Sequence, residues 1–389
     1  MKRTNSCLFV LGIVLALLLS ACAPAAPTTA PTAAPTKAPA AEPTKPAAAA
    51  PTTAPTAAPT KAALPARLEF ATHAIGSVFN AVGSGIAKVA SERSGMMVAV
   101  TPTGGPPAWM PGLNSEGRPD IGIINTFELW QAYSGKIAPA PVPGDTRDKA
   151  PYQPNKNVRI LMMGTNNRAG FLVKADSPMK TIKDIRGKSF TWGYQAFPAN
   201  IPVGLAALAN AGLTIKDVSE VPVPEVTAGV RALMEGRAEV TTAALGMPIV
   251  VEAEAKVGVR FLPYSEDSKD VKAAQAVMPS GKVAREKPGE AGIKVETPIW
   301  SYPISVVAST YMSDDTAYAL VKAWWDYHKD LWPIHAQLNG WAPDNFVQSV
   351  ATVPFHPGAI KFYKEKGVWK ADQDKMQEEL LKGELPFLR

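Results

Sequence analysis

The sequence has little cysteine. Of its 389 residues only Cys7 and Cys22 are cysteines, and both lie near the start of the chain. Processing at the site described below would remove Cys7 and acylate Cys22, so the folded part would contain no thiol. This scarcity excludes disulfide scaffolding, thiolate metal sites and cysteine nucleophiles from the mature domain. Its stability must come from a hydrophobic core.

Histidine is also scarce, with four in the chain. His328 and His335 are separated by Pro333, which breaks helices, so they do not form a convincing metal-binding pair. His73 stands alone in a turn, where it either lines a cleft or has a structural role. We expect no metal and no other cofactor.

A basic cluster is missing as well. The formal net charge is +6, but Lys2 and Arg3 belong to the leader and the tail described below adds a net two, which leaves +2 for the domain. Nucleic-acid binding would need basic residues clustered on one face. We therefore expect no nucleic-acid partner.

Long apolar runs are absent too. The run from Leu8 to Leu19 is too short to span a bilayer as a helix, but it has the length of a signal-peptide core. It ends in Leu-Ser-Ala-Cys, which is similar to the lipobox of bacterial lipoproteins. We expect residues 1–21 to be a cleaved signal and Cys22 to be lipidated, which anchors an extracytoplasmic protein to the cell membrane. An ordinary secretory signal is the alternative.

Residues 22–66 consist of the lipidated cysteine and a segment that is almost entirely Ala, Pro and Thr. Such a segment cannot bury enough apolar surface to offset the entropy of ordering it, so we expect a disordered tether. The rest of the chain is longer than the roughly 250–300 residues at which single cores stop growing. Two lobes are therefore expected.

From residue 67 onward, short β-type runs alternate with amphipathic helical stretches, which favours α/β architecture with mostly parallel sheets. In such sheets ligands bind beyond the carboxyl ends of the strands. The strand candidates are Leu68–Thr72, Met97–Val100, Ile121–Ile124, Arg159–Met162, Phe171–Val173, Ser189–Trp192, Val240–Leu245, Arg260–Leu262 and Ile304–Val307. The helix candidates lie near Asn80–Arg93, Val203–Asn210, Val226–Glu235 and Asp315–His328.

Three loops follow the early strands and are candidates for a ligand site. The first, His73–Asn80, leads into a long helix. The second, Thr101–Pro107, contains two glycines and a pair of prolines that could begin a helix. The third is Asn125-Thr126, at the end of an apolar strand. Exposed N–H groups at a helix start favour a carboxylate or another anion, and three such loops are more informative than one glycine turn.

The order of these pieces resembles the TAXI family of solute receptors for TRAP transporters. The resemblance covers nearly all of the chain after the tether. It is carried by the Thr-Gly-Gly of residues 103–105, the Gly-Arg-Pro-Asp-Ile-Gly-Ile-Ile-Asn of residues 117–125, and residues 171–177, 182–188, 209–213, 230–239 and 354–359.

The resemblance implies an α/β, two-lobed type II periplasmic-binding-protein fold with the ligand cleft between the lobes. Lobe 1 would comprise residues 67–168, lobe 2 residues 169–299, and residues 300–389 would return to lobe 1 and add C-terminal helices. The partners would be a small organic anion and the membrane subunits of a TRAP transporter, and we expect a monomer. The implied ligand contacts are Gly76, Ser77, Phe79, Thr103, Gly104, Gly105, Asn125 and Thr126.

The loops depart from the family pattern where rings and proline replace hydroxyls and free amides. Trp109, Tyr194 and Phe197 stand in or beside the predicted cleft loops, where they either line the cleft or pack in the core. Arg168, where the chain passes to the second lobe, either binds a carboxylate with two hydrogen bonds or forms a surface salt bridge. These departures predict a carboxylate with an apolar or aromatic body.

Catalysis would need an acid–base pair or an activated nucleophile, and the cleft loops are poor in Asp, Glu and Lys. We therefore expect a binding protein and not an enzyme. An enzyme on a related two-lobed fold and a sensor or adhesion lipoprotein are the alternatives, because fold does not fix function.

Overall fold

Two five-stranded sheets organise the chain. A computed structural model of the protein describes residues 63–138 and 149–385, so the predicted signal, Cys22 and most of the predicted tether lie outside the described residues. The described residues belong to one compact unit, Lys61–Arg389.

The strands and helices alternate along much of the chain. The strands are β1 (Arg67–Thr72), β2 (Met97–Pro102), β3 (Ile121–Asn125), β4 (Val158–Met163), β5 (Asn167–Lys174), β6 (Ser189–Gly193), β7 (Ser219–Val223), β8 (Thr241–Ala244), β9 (Val259–Phe261), β10 (Lys282–Glu286), β11 (Thr297–Tyr302) and β12 (Ile304–Ser309). The helices are α1 (Val78–Arg93), α2 (Met110–Ser115), α3 (Thr126–Ser134), α4 (Asn200–Asn210), α5 (Val226–Met234), α6 (Pro248–Val257), α7 (Ser268–Val277), α8 (Asp314–Asp326), α9 (Pro343–Phe346), α10 (Pro357–Glu365) and α11 (Ala371–Leu381).

The fold is of the α/β class and has two lobes. Lobe 1 is built on the sheet with strand order β2-β1-β3-β12-β4, and lobe 2 on the sheet β10-β11-β5-β8, with β9 beside β5. The parallel pair β6-β7 joins lobe 2, because Thr191 N donates to Val240 O at 3.1 Å, directly before β8.

The prediction of mostly parallel sheets is wrong. In the described residues β1 pairs in parallel with β2 and β3, and β6 with β7, but every named pair that involves β4, β5, β11 or β12 is antiparallel. The reason is the path of the chain, which leaves lobe 1 along β4 and returns along β12. Strands that carry the chain out and back run in opposite directions.

Close packing of α1 on its sheet fixes the first cleft loop. The helix buries an apolar face that includes Val82 and Ile86. A Cβ on Gly83 would lie 2.5 Å from Thr72 Cγ2, so only glycine lets the helix approach β1 this closely. β3 is buried along its whole length, which explains its nearly continuous apolar sequence.

The connections between the lobes are short. Residues 164–166 join β4 to β5, and Pro303 alone joins β11 to β12. These two connections are where the chain crosses between the two sheets, and they are called the hinge below. Within the part of the chain that the structure describes, no helix has the length and apolar composition needed to cross a membrane.

Candidate functional site

Four helices begin at one place, the cleft between the lobes. α1 begins at Val78, α4 at Asn200 and α5 at Val226, and Met247 stands directly before α6. The cavity that these residues line measures about 10 Å³, which is room for roughly one water molecule. Because peptide dipoles give helix N-termini a partial positive charge, this closed cleft favours acceptor groups and anions.

The crossing strand β5 presents alternate side chains to the cleft. Asn167 and Ala169 line the cavity, whereas Arg168 lines a different cavity on the other face of the strand. Asn167 pairs in register with Tyr302 of β11, and its Nδ2 donates to Tyr302 Oη at 2.7 Å. The Oδ1 of Asn167 is buried and has no hydrogen-bond partner within the described residues.

Asn200 supplies a second buried polar atom at the cavity. It is the first residue of α4 and is only 4% exposed. Its Nδ2 has no hydrogen-bond partner in residues 63–138 and 149–385. Leaving a buried polar group unpaired costs about 1–3 kcal/mol. An acceptor and a donor of this kind beside one cavity can both hydrogen-bond a molecule that enters it.

The N-terminus of α1 adds backbone donors. Ser77 is the N-cap: its Oγ accepts from Asn80 N at 3.1 Å, and its own N–H donates to Ala74 O at 3.0 Å. The first N–H groups of a helix have no partner inside it. Those of Val78 and Phe79 have no backbone partner among the described residues, so they are open to a solute.

Three rings form an apolar wall of the cleft. His73 stacks on Phe79 with centroids 4.2 Å apart, and Phe197 from lobe 2 meets His73 edge-on at 4.5 Å. Burial lowers the pKa of His73 to about 3, so its ring is neutral at physiological pH. Its Nε2 lies 3.2 Å from Ile123 O, which can only accept. Nε2 therefore carries the proton and Nδ1 is a buried acceptor.

Three glycines of the predicted site lie where the lobes touch. A Cβ on Gly104 would lie 2.7 Å from Ala196 Cβ, and one on Gly105 would lie 2.2 Å from Ala196 O. Gly76 has a φ of 92°, and its carbonyl accepts from Ile249 N at 3.3 Å. Since Ala196 and Ile249 belong to lobe 2, the glycines allow the lobes to meet closely.

We predict that Gly104→Val weakens solute binding at least tenfold, or about 1.4 kcal/mol, while the protein stays folded. The added Cβ would strike Ala196 of lobe 2 and keep the lobes apart, whereas no lobe 1 atom outside its two chain neighbours lies within 4 Å of that Cβ. Calorimetry would measure the affinity and small-angle scattering the lobe separation. Ala196→Gly should partly rescue the variant; tight binding by the single variant would contradict the prediction.

Two other predicted contacts are held by the protein itself. Thr103 Oγ1 donates to Thr72 O at 2.8 Å and accepts from Gly105 N at 3.2 Å, which fixes the Gly-Gly turn. Thr126 donates its N–H to Pro303 O at 3.1 Å and directs its hydroxyl to the same oxygen. These residues shape the cleft loops and the hinge, and they do not line the cavity.

A buried carboxyl lies behind the cleft. Glu128 accepts hydrogen bonds from Tyr152 Oη and from Asn125 Nδ2, and Asn125 Oδ1 caps α3 through Glu128 N at 2.8 Å. Burial raises the pKa of Glu128 to about 8, against the lowering effect of these hydrogen bonds. Burial also raises the pKa of Tyr302, and the nearby Glu128 raises it further. Asn125 thus belongs to this cluster and does not line the cavity.

Two of the predicted aromatic contacts lie away from the cavity. The buried ring of Trp109 packs closely on β3: a Cβ on Gly122 would lie only 2.5 Å from it. Tyr194 is fully buried inside lobe 2, and its hydroxyl is bonded to Thr191 Oγ1 at 2.6 Å. Phe197 is the one of the three that the structure brings to the cleft.

Arg168 is not directed at the cleft either. Its guanidinium donates to Glu286 Oε2 and to Glu290 Oε1, each at 2.5 Å. One cation is therefore held between two carboxylates on the far side of β5. The salt bridge, one of the two sequence alternatives for this residue, is the one that the structure contains.

Residues 70–367 match the profile of the NMT1-like family, and this range includes every cleft residue named above and both sheets except the first three residues of β1. The chain belongs to the NMT1-like family. The resemblance to TAXI receptors is not shown by this match and stays a prediction.

Several solved structures are similar to this NMT1-like chain. A structure described as a periplasmic transporter is 14% identical, with a TM-score of 0.47, and the alignment covers 84% of this chain and 100% of the other. The aliphatic sulphonate binding protein SsuA from Escherichia coli is 15% identical over 82% of this chain and 100% of its own, with a TM-score of 0.41. A binding protein component of an ABC phosphonate transporter from Pseudomonas aeruginosa is 12% identical over 81% and 98%, with a TM-score of 0.44. No curated protein matches.

Four further residues line the cleft of this NMT1-like protein and were not predicted from the sequence: Asn167, Asn200, Met247 and Tyr302. The signal for Asn167 and Tyr302 was their position next to the hinge, as the first residue of β5 and the last residue of β11. Of the described residues that line the cavity, none is charged. Over residues 63–138 and 149–385, no three His, Cys, Asp or Glu side chains are grouped to hold a metal. The protein can therefore bind a solute here through hydrogen-bonding groups that carry no formal charge and through apolar contact.

Proposed function

We propose that this protein is an extracytoplasmic solute receptor that closes its two lobes on a small organic molecule and presents it to a membrane transporter. The observation that carries the proposal is the pair of buried amide atoms without a hydrogen-bond partner in the described residues, Asn167 Oδ1 and Asn200 Nδ2, on two residues that line one small cavity. A structural amide would pair with a neighbouring group. These two instead suit a partner that arrives from solution.

The proposed solute is a carboxylate with an apolar or aromatic body. Its carboxylate would accept from Asn200 Nδ2 and from the free N–H groups of Val78 and Phe79, at a helix N-terminus that favours negative charge. Its body would lie against Phe79 and Phe197. Asn167 Oδ1 would accept from an N–H or O–H on the solute. Pockets of this kind are mostly apolar with a few placed polar groups.

A thermal-shift panel on the purified protein tests this chemistry. Each acid is paired with its amide, and the set includes aliphatic, aromatic and amino-acid carboxylates. A ligand that binds only the folded state stabilises it by about 2.7 kcal/mol at a hundred times its Kd. We expect apolar and aromatic acids to raise the melting temperature and their amides to raise it less. Stabilisation by polar amino acids or sugars alone would contradict the apolar cleft, and equal effects of acid and amide would contradict the carboxylate.

We further propose that Cys22 carries a lipid anchor and that the transporter is of the TRAP type. We predict that Cys22→Ala leaves an unprocessed or released protein, because the lipid attached at this thiol supplies the chains needed for stable anchoring. Membrane fractionation measures the outcome. An alanine variant that is cleaved and remains in the membrane fraction would contradict the anchor.

A further inference from the structure

A second cavity lies behind the hinge, on the opposite face of β5 from the cleft. Its volume is about 560 Å³. It is lined by hinge residues 164–166, by Arg168, Lys282 and Glu290 of lobe 2, and by residues of the C-terminal segment between 336 and 348. The front cleft and this rear cavity therefore share β5 but no side chain, since Asn167 and Arg168 point to opposite faces.

The two cationic side chains that line the rear cavity differ, because one is already paired with carboxylates and the other is not. Arg168 is held by Glu286 and Glu290 at 2.5 Å each, so two carboxylates already take up its charge. Lys282, on the exposed edge of β10, forms no ion pair within the described residues. Its ammonium is the cation of this cavity that remains open to a solute carboxylate.

Two of the amides that line the cavity, Gln337 and Gln348, offer oxygens. Gln337 Nε2 donates to Leu245 O and to Glu290 Oε2, both at 3.3 Å. Gln348 Nε2 donates to Gly164 O at 3.1 Å and to a second backbone oxygen at 2.9 Å. Both N–H bonds of each amide group are thus used. What each amide can still offer is its carbonyl oxygen, which accepts from hydroxyl or amino groups.

The geometry points to a second binding site in this rear cavity, for a small hydroxylated organic acid whose carboxylate pairs with Lys282 and whose hydroxyls donate to Gln337 and Gln348. A fully apolar acid would leave the amide oxygens unpaired. An uncharged polyol would leave the ammonium unpaired. The site is separate from the proposed solute cleft, because no side chain lines both cavities.

Calorimetry with gluconate, on the purified protein, tests this site. Sorbitol lacks the carboxylate of gluconate, and hexanoate lacks its hydroxyls, so both should bind at least tenfold more weakly. Lys282→Met should weaken gluconate at least tenfold without changing the melting temperature, because Lys282 is exposed. Lys272→Met, the same substitution at an exposed position on α7 outside the cavity, is the matched control.

Asn200→Leu, which alters the front cleft, should leave gluconate binding unchanged, so failure of one site is distinguishable from failure of the other. Three results would overturn the rear site: no heat with gluconate, equal affinities for gluconate and either comparison compound, or an unchanged affinity in Lys282→Met. Loss of gluconate binding in Asn200→Leu would place the compound in the front cleft and would overturn it as well.

Discussion

Replacement of Asn200 with leucine is expected to weaken solute binding at least a hundredfold, about 2.7 kcal/mol, while the protein becomes no less stable. Asn200 Nδ2 is buried and has no hydrogen-bond partner in the described residues. Leucine has a similar volume and removes the cost of that unpaired donor, which is about 1–3 kcal/mol. A residue whose replacement stabilises the free protein but abolishes binding has its role in solute binding.

Asn210→Leu is the matched control for this variant. Asn210 lies at the other end of α4 and is also buried, but its amide donates to Ser265 O at 3.0 Å and accepts from Ser265 N at 2.7 Å. Its replacement should lower stability and leave affinity unchanged. Calorimetry and thermal unfolding measure both quantities. If Asn200→Leu binds as well as the unmodified protein, the cleft is not the solute site.

Glu128 should contribute a fall in the free energy of unfolding as pH rises from about 4.5 to about 8, and Glu128→Gln should remove that contribution. Glu128 has its pKa raised from 4.5 to about 8 by burial, so between these values the folded state holds a proton that the unfolded state has released. The stabilising effect is complete below the unfolded pKa and is lost as pH rises through the folded one. The slope is at most about 1.4 kcal/mol per pH unit.

Glutamine cannot release a proton but can still accept from Tyr152 Oη. The variant should therefore be equal to or less stable than the unmodified protein at pH 5 and more stable above pH 8. Denaturant unfolding of both proteins across this range measures the difference directly, because contributions of other titrating groups cancel. If the free energies of unfolding of the two proteins changed with pH in the same way, Glu128 would not be the buried proton-binding group.

The strands of lobe 1 follow closely from the sequence. The predicted runs Leu68–Thr72, Met97–Val100 and Ile121–Ile124 are confirmed as parts of β1, β2 and β3. β7 and β10 were missed because most of their residues are exposed or only half-buried and they carry no apolar run. Tertiary pairing, not local pattern, makes these segments strands.

The candidate site was only partly predictable, for two physical reasons. Sequence alone does not fix the register of a crossing strand, and a shift of one residue moves every side chain to the other face. Arg168 was therefore predicted as a ligand contact, whereas it is the neighbouring residue Asn167 that faces the cleft. The second reason is a helix boundary: α4 was predicted near Val203 but begins at Asn200. Ser77 and Phe197 lie in loops between a strand and a helix and Phe79 lies in the first turn of α1, so the register of a strand does not decide whether they line the cavity.

The measurement that tests the central claim most directly is a crystal structure with a solute that the thermal-shift panel identifies. The account predicts density between Phe79 and Phe197, with a solute oxygen within hydrogen-bond distance of Asn200 Nδ2 and a solute donor beside Asn167 Oδ1. A solute bound elsewhere on the protein, with these two amide atoms still unpartnered in a closed cleft, would contradict it.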